Sequence, residues 1–172
     1  MAVEEISRNG RTVVPLKELL RPGLKAVFIG LNPARVSVRA GHYYRGRHGL
    51  RFWHLLLEYG ITPRLPRGAE DDAAFACGYG FTDLVRRPTD SLRGLTQEEQ
   101  AAAVTDLRFR LSKTGDRPLI IFRYKEPYAL AKKNLERRGY RVLRMPSPYT
   151  RKEIIDTMMK ALKRAVQQTS ST

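Results

Sequence analysis

Lys25-Ala-Val-Phe-Ile-Gly-Leu31, closed by Asn32-Pro33, is the stretch on which the fold turns. A short apolar run bounded by turn residues reads as a buried strand. On its N-terminal side, Asn9-Gly10 and Pro22-Gly23 mark turns. Downstream, Phe52, Trp53, Leu55, Leu56 and Tyr59 fall at helical spacing, which predicts a helix over 50–59 with Gly60 as its cap. Gly78 to Val85 is ambiguous between a short strand and a packed loop. Thr96 with Glu99 makes a capping box ahead of a helix to Leu111. Pro118 to Phe122 reads as a strand, Tyr128 to Arg138 as a helix stopped by Gly139, and Tyr140 to Leu143 as another strand. A Pro-rich loop, Met145 to Tyr149, leads to a second capping box, Thr150 with Glu153, and a helix to about Val166. Strands alternating with helices give an α/β fold with a parallel sheet covered on both faces. In such sheets ligands sit beyond the carboxyl ends of the strands, here in the loops 32–51 and 144–152.

The chain has 172 residues, 42% apolar and 28% charged, which fits one domain over 1–172. Residues 1–20 are expected to form an N-terminal extension and 167–172 a frayed tail. Folding a chain of this size buries roughly 70% of its surface, enough for a core without staples. Cys77 is the sole cysteine, which excludes an internal disulfide, an all-cysteine zinc site and a four-thiolate cluster. The start, Met-Ala-Val-Glu-Glu-Ile, lacks the pattern of a secretory signal, so a cytoplasmic location and no membrane partner are expected. The 32 Lys and Arg against 17 acids leave a net charge of +15, a bias toward a polyanionic partner. Nucleic acid leads; a solubilising surface or attraction to anionic lipid are the alternatives.

Both candidate loops are basic. The first holds Arg35, Arg39, Arg45, Arg47 and Arg51 with His42 and His48, and no acid. The run from Arg137 to Lys152 adds Arg137, Arg138, Arg141, Arg144, Arg151 and Lys152, again with no acid. The two are expected to converge on one edge. Asn32, directly after a strand, projects a carboxamide that can hold a water against an electrophilic sugar carbon; the plainer alternative is a turn initiator. Tyr43 and Tyr44, set among arginines, suit base stacking, although one of the two is expected in the core. Ser147 and Thr150 lie where a helix start favours a phosphate, and an N-cap accounts equally for Thr150. His48 and His54 have no partner at metal-ligand spacing. There is no phosphate loop ending in Lys-Ser or Lys-Thr, no dinucleotide fingerprint, no HExxH and no serine nucleophile elbow.

Gly30-Leu31-Asn32-Pro33, Gly41-His42-Tyr43-Tyr44, Arg51-Phe52-Trp53, Gly80-Phe81-Thr82-Asp83-Leu84-Val85 with Arg87-Pro88-Thr89, and Met145-Pro146-Ser147 through Arg151 occur in order along the chain. Together they resemble the mismatch-specific uracil/thymine-DNA glycosylases of the uracil-DNA glycosylase superfamily. The resemblance runs from about Leu20 to Val166. It implies a three-layer α/β/α fold around a four-stranded parallel sheet. It also implies a catalytic Asn32 positioning the hydrolytic water, with Gly30, Leu31, Ser37 and Tyr44 binding the extruded base. Arg45, Arg47, Ser147, Pro148, Tyr149, Thr150 and Arg151 would then contact DNA, with Tyr149 or Arg151 filling the vacated stack. No metal or cofactor is implied, and a monomer is expected.

The chain departs from the family at Ala34 and Arg35, where the family has Gly after the Pro, and in the Arg-rich segment between Tyr44 and Arg51. Pro148 and Tyr149 are bulkier than the serines they replace. The Asp and His of the fast uracil enzymes fall at Asn32 and Met145, which implies slow catalysis. The expected activity is hydrolysis of the N-glycosidic bond of uracil or a related damaged or mismatched base in DNA, leaving an abasic site. A glycosylase-fold protein that binds nucleic acid without the chemistry is the alternative. A nuclease is disfavoured because neither loop holds a carboxylate cluster for Mg²⁺.

Overall fold

The computed structural model describes residues 6–8, 11–13, 15–87 and 92–169. The Asn9-Gly10 turn, Pro88-Thr89 and the last three residues of the predicted tail lie outside them. A short antiparallel pair, β1 (Ile6–Arg8) and β2 (Arg11–Val13), precedes the main sheet. That sheet consists of β3 (Ala26–Gly30), β4 (Tyr79–Asp83), β5 (Leu119–Phe122) and β6 (Val142–Arg144). All pairings are parallel, as the resemblance implies, and the order is β4-β3-β5-β6.

Among the described residues six α-helices accompany it: α1 (Arg35–Ala40), α2 (Gly46–Glu58), α3 (Glu70–Ala76), α4 (Gln97–Ser112), α5 (Lys125–Glu136) and α6 (Lys152–Thr169). Successive strand side chains point to opposite faces, so β3 feeds two cores. Ala26 and Phe28 pack with Phe52 and Trp53 of α2, Ala74 of α3, and Met159 and Leu162 of α6. Val27 and Ile29 pack with Val104 and Leu107 of α4 and Ala131 and Leu135 of α5. The sheet is thus the middle of three layers. No helix among the described residues is long and apolar enough to cross a membrane.

Local chemistry explains the start of α4 and the end of α2. Thr96 Oγ1 accepts from the Glu99 N–H at 3.1 Å while Glu99 accepts from the Thr96 N–H at 2.8 Å, the capping box that the sequence predicts. At the end of α2, Gly60 takes φ +62°, and the N–H groups of Gly60 and Ile61 reach the carbonyls of Leu57 (3.0 Å) and Leu56 (2.9 Å). This Schellman geometry lets Ile61 turn back into the core. Residues 79–83 are a strand, which resolves the ambiguity at 78–85. Leu19 shields its outer edge, exchanging two 3.0 Å main-chain hydrogen bonds with Phe81.

Three expectations need correction. Helix α2 starts at Gly46, not Leu50, since its first turn is polar and carries no apolar period. Helix α6 starts at Lys152, and the carbonyl of Arg151 accepts from Ile154 and Ile155. The cap position is therefore Arg151, one residue after Thr150. Helices α1 and α3 lie in segments that the periodicity leaves as loop, both being short and largely polar.

Candidate functional site

Gly30 and Asp83 are the last residues of β3 and β4 and stand opposite each other in the register. The chain leaves β3 through Asn32 and Pro33 into α1, then turns through 41–45 into α2. A cavity of about 80 Å³ opens at this end of the sheet, lined among others by Gly30, Asn32, Ser37, Tyr44, His48 and Asp83. One water needs roughly 10–15 Å³, so the cavity holds several. Asn32, Ser37 and Tyr44, separated in the sequence, are brought together here.

Tyr44 is the one described non-glycine residue with positive φ, at 52°. A bulky residue in that conformation is strained and must be held by its surroundings. The holding contacts are visible. Its ring stacks on Phe52 with centroids 3.9 Å apart, and its carbonyl accepts from the Trp53 indole N–H at 3.2 Å. A Cβ at Gly49 would collide with that same carbonyl, which is why α2 carries glycine there. The Tyr44 hydroxyl is buried and has no hydrogen-bond partner. Such a group costs about 1–3 kcal/mol unless something supplies a partner, and Tyr44 is one of the residues that line the cavity. Tyr43 is the core residue of the pair, only 4% exposed. Burial, with Asp83 nearby adding its charge, pushes both phenols well above the usual tyrosine range.

Asp83 is the residue that sequence reasoning passed over. It is buried at the cavity, and burial pushes its carboxyl up to about 7, Glu18 assisting and Arg110 and Arg86 opposing. Buried Arg110 anchors the strand end beneath it. Its Nη2 donates to the carbonyls of Asp83 (3.0 Å) and Leu84 (3.2 Å), its Nε to Asp106 (2.8 Å), and its Nη1 to Thr82 (2.6 Å) and Glu18. A carboxyl poised near neutrality can donate a hydrogen bond when protonated and accept when ionised.

The acid-free loop finds its counter-charges on α3. Asp71 accepts from the His42 ring at 2.9 Å and from the Tyr43 N–H at 2.8 Å; Glu70 accepts from Arg45 Nη1 at 3.0 Å. Ser37 Oγ accepts from the Arg45 N–H at 3.1 Å. Arg45, expected on DNA, thus has its guanidinium engaged by a buried carboxylate. His42, Asp71 and Asp72 place ligand atoms within 4.8 Å of one another, the spacing of a metal site. Both Asp71 oxygens already serve the loop, so these residues read as its fastening.

The two basic loops meet, as expected: Arg51 Nη2 donates to the Pro148 carbonyl at 3.1 Å. Residues 147–150 form a turn, the Thr150 N–H reaching the Ser147 carbonyl at 3.1 Å and the Tyr149 N–H reaching Ser147 Oγ at 3.4 Å. The turn presents Tyr149, 87% exposed, with Arg151 and Arg47 also in solvent. Ser147, Pro148 and Thr150 are half-buried. Leu31 lies beside the cavity: its carbonyl accepts from Val85 at 2.9 Å and its side chain packs against the α4/α5 core. Met145 is fully buried. Arg123 and Tyr124, which the sequence did not flag, close the β5 side; Arg123 Nη1 donates to the Pro146 carbonyl at 3.3 Å, and Tyr124 lines the cavity.

Comparison with known proteins agrees with this fold. A provisionally assigned uracil DNA glycosylase from Methanosarcina acetivorans, solved in solution by NMR, superposes with a TM-score of 0.55 at 16% identity. The superposition covers 89% of this chain and 97% of that one, a likeness of fold. The sequence model of the family described as the Uracil DNA glycosylase superfamily matches residues 18–167, a span that takes in the whole parallel sheet, both basic loops and the cavity lining apart from Leu16. The chain belongs to the uracil DNA glycosylase superfamily.

Proposed function

We propose that this protein is a monofunctional DNA glycosylase that extrudes uracil or a related damaged or mismatched base and hydrolyses its N-glycosidic bond. The observation that carries the reading is the meeting of Asn32, Asp83 and the unpartnered Tyr44 hydroxyl in one cavity at the strand ends. Extrusion costs a few kcal/mol and least at a mismatch, where pairing is already weak. Arg47 and Arg151 hold the backbone, and Tyr149, exposed on the 147–150 turn, fills the vacated stack. The flipped base enters beside Tyr44.

Bond cleavage leaves the electron pair on the base and a cationic sugar. The Asn32 carboxamide orients a water whose oxygen bonds to the anomeric carbon and whose proton passes to solvent. Such an electrophile needs a positioned water more than a strong base. The departing base carries negative charge, which a neutral Asp83 stabilises by donating a hydrogen bond and an ionised Asp83 opposes. The products are free base and an abasic site.

The test is an oligonucleotide panel with U:G, T:G, hypoxanthine:T and single-stranded uracil, followed by alkali. Strand breaks that need alkali are expected. Direct breaks would identify a nuclease, and binding without breaks a protein that has lost the chemistry.

A further inference from the structure

At the opposite end of the sheet a second, larger concavity of about 780 Å³ opens between α4 and the segments that lead into β5 and β6. Phe109 stands in it 66% exposed, on the outer face of α4, and Tyr140 forms the opposite wall, half-buried. Arg108, Arg117 and Arg138 line it, and Lys113 Nζ lies 5.9 Å from the Phe109 ring centre. Its one lining acid, Asp106, is engaged by Arg110. Arg117 is seated rather than adrift. Gly139 has φ +84°, and the space its missing side chain leaves is taken by the Arg117 guanidinium, whose Nη1 is 2.9 Å from where a Cβ would be. Arg117 lies two residues before β5 and Tyr140 two residues before β6, while Asn32 and Asp83 stand at the far strand ends. The strands separate the two places by roughly 13–17 Å, at about 3.3 Å per residue.

We propose that this groove is a second nucleic-acid site that stacks an unpaired base on Phe109 and meets the adjoining phosphates with Arg117 and Arg138. An exposed ring among cations matches the two recurring needs of single-strand binding, a stacking platform and a basic track. A duplex leaves no base face free for the ring. A bilayer needs apolar side chains on a protruding face, whereas here the ring and the cations line a concavity. The volume falls within the roughly 300–1,000 Å³ of small-ligand clefts, room for a short stretch of strand. The site would let the protein hold unpaired nucleic acid while the cavity at the other end stays open.

Anisotropy of a labelled, uracil-free oligothymidylate tests this on the full chain. Phe109→Ala should weaken binding about fivefold or more, the loss expected for one stacked base. Arg117→Ala combined with Arg138→Ala should flatten the log–log salt dependence by about 1.4 units, near 0.7 for each single-strand phosphate. Excision from a short uracil duplex and the melting midpoint should stay at wild-type values in Phe109→Ala. Unchanged single-strand affinity and slope in both variants would overturn the proposal. So would loss of binding to phosphatidylserine vesicles with oligonucleotide binding intact. The probe contains no uracil, so failure of the glycosylase reading leaves this result standing.

Discussion

Gly30 and Asp83 face each other across β3 and β4, and a Cβ on Gly30 would collide with Oδ1 of the Asp83 carboxylate. The glycine is therefore a notch that the carboxyl occupies, and the place where a Cβ would sit is 3.6 Å from the Tyr44 hydroxyl. Filling the notch pushes Asp83 toward the cavity or displaces the strand. Gly30→Ala is predicted to destabilise the fold by about 1–3 kcal/mol through overpacking. Excision should fall by more than folding loss explains, which single-turnover kinetics below the melting range will measure.

Asp83 makes stability depend on pH in a definite direction. Its carboxyl titrates near 7 in the folded protein against an ordinary 3.8, so folding favours the neutral form. Below about pH 4 the group is neutral in both states and contributes nothing to the slope. Between about pH 4 and 7 the unfolded chain releases its proton while the folded chain keeps it, so stability falls as pH rises, by at most about 1.4 kcal/mol per unit. Above 7 the loss is complete and flat. Asp83→Asn removes this dependence, so its melting midpoint should gain on the wild type across that window; parallel curves would contradict the assignment. Glu18, Arg86 and Arg110 are the charged groups coupled to it, and Tyr43 and Tyr44 face it from the 41–45 turn. In the catalytic reading, wild-type excision should decline above about pH 7 as the acid ionises, and the variant's profile should lose that limb.

Asn32→Ala should slow single-turnover excision about tenfold to a thousandfold with little change in DNA affinity, because the carboxamide acts on the water as the bond breaks. An equal loss in affinity would assign Asn32 to binding instead. Retained activity would remove it from the mechanism.

The sheet was legible because its strands are short, apolar and punctuated, and because Thr96 with Glu99 and Gly60 are local signals that need no tertiary partner. Helix α3 was not, although it matters most to the site. Its buried Glu70 and Asp71 look like surface acids until the fold sets them against Arg45 and His42, 25 and 29 residues earlier in the chain. Asp83 failed to stand out for a similar reason. Its raised titration comes from burial against Gly30, a pairing of distant strands that no local pattern encodes. Asn32, Ser37 and Tyr44 come to one cavity because the strand end and the loop after it form one local segment; Asn32 and Tyr44 stand out there by residue type, Ser37 only through the family resemblance.

Arg45 and Arg47 are two residues apart in sequence, and their neighbours give them different work. Arg45 is half-buried and bonded to Glu70 at 3.0 Å, whereas Arg47 is exposed in the first turn of α2. Removing one partner of a largely buried pair leaves the other carboxylate uncompensated, so Arg45→Ala should lower the melting midpoint and loosen the 41–45 turn. Its effect on the salt dependence of duplex binding should be small, since its charge is already met. Arg47→Ala with Arg151→Ala should leave the midpoint near wild type and flatten the salt dependence by about 1.8 units, near 0.9 for each duplex phosphate no longer neutralised. Measuring log Kd against log salt for both variants beside their melting curves separates the two roles. The opposite pattern, with Arg45 governing the slope and Arg47 with Arg151 the stability, would mean that the Glu70 pair opens when DNA binds.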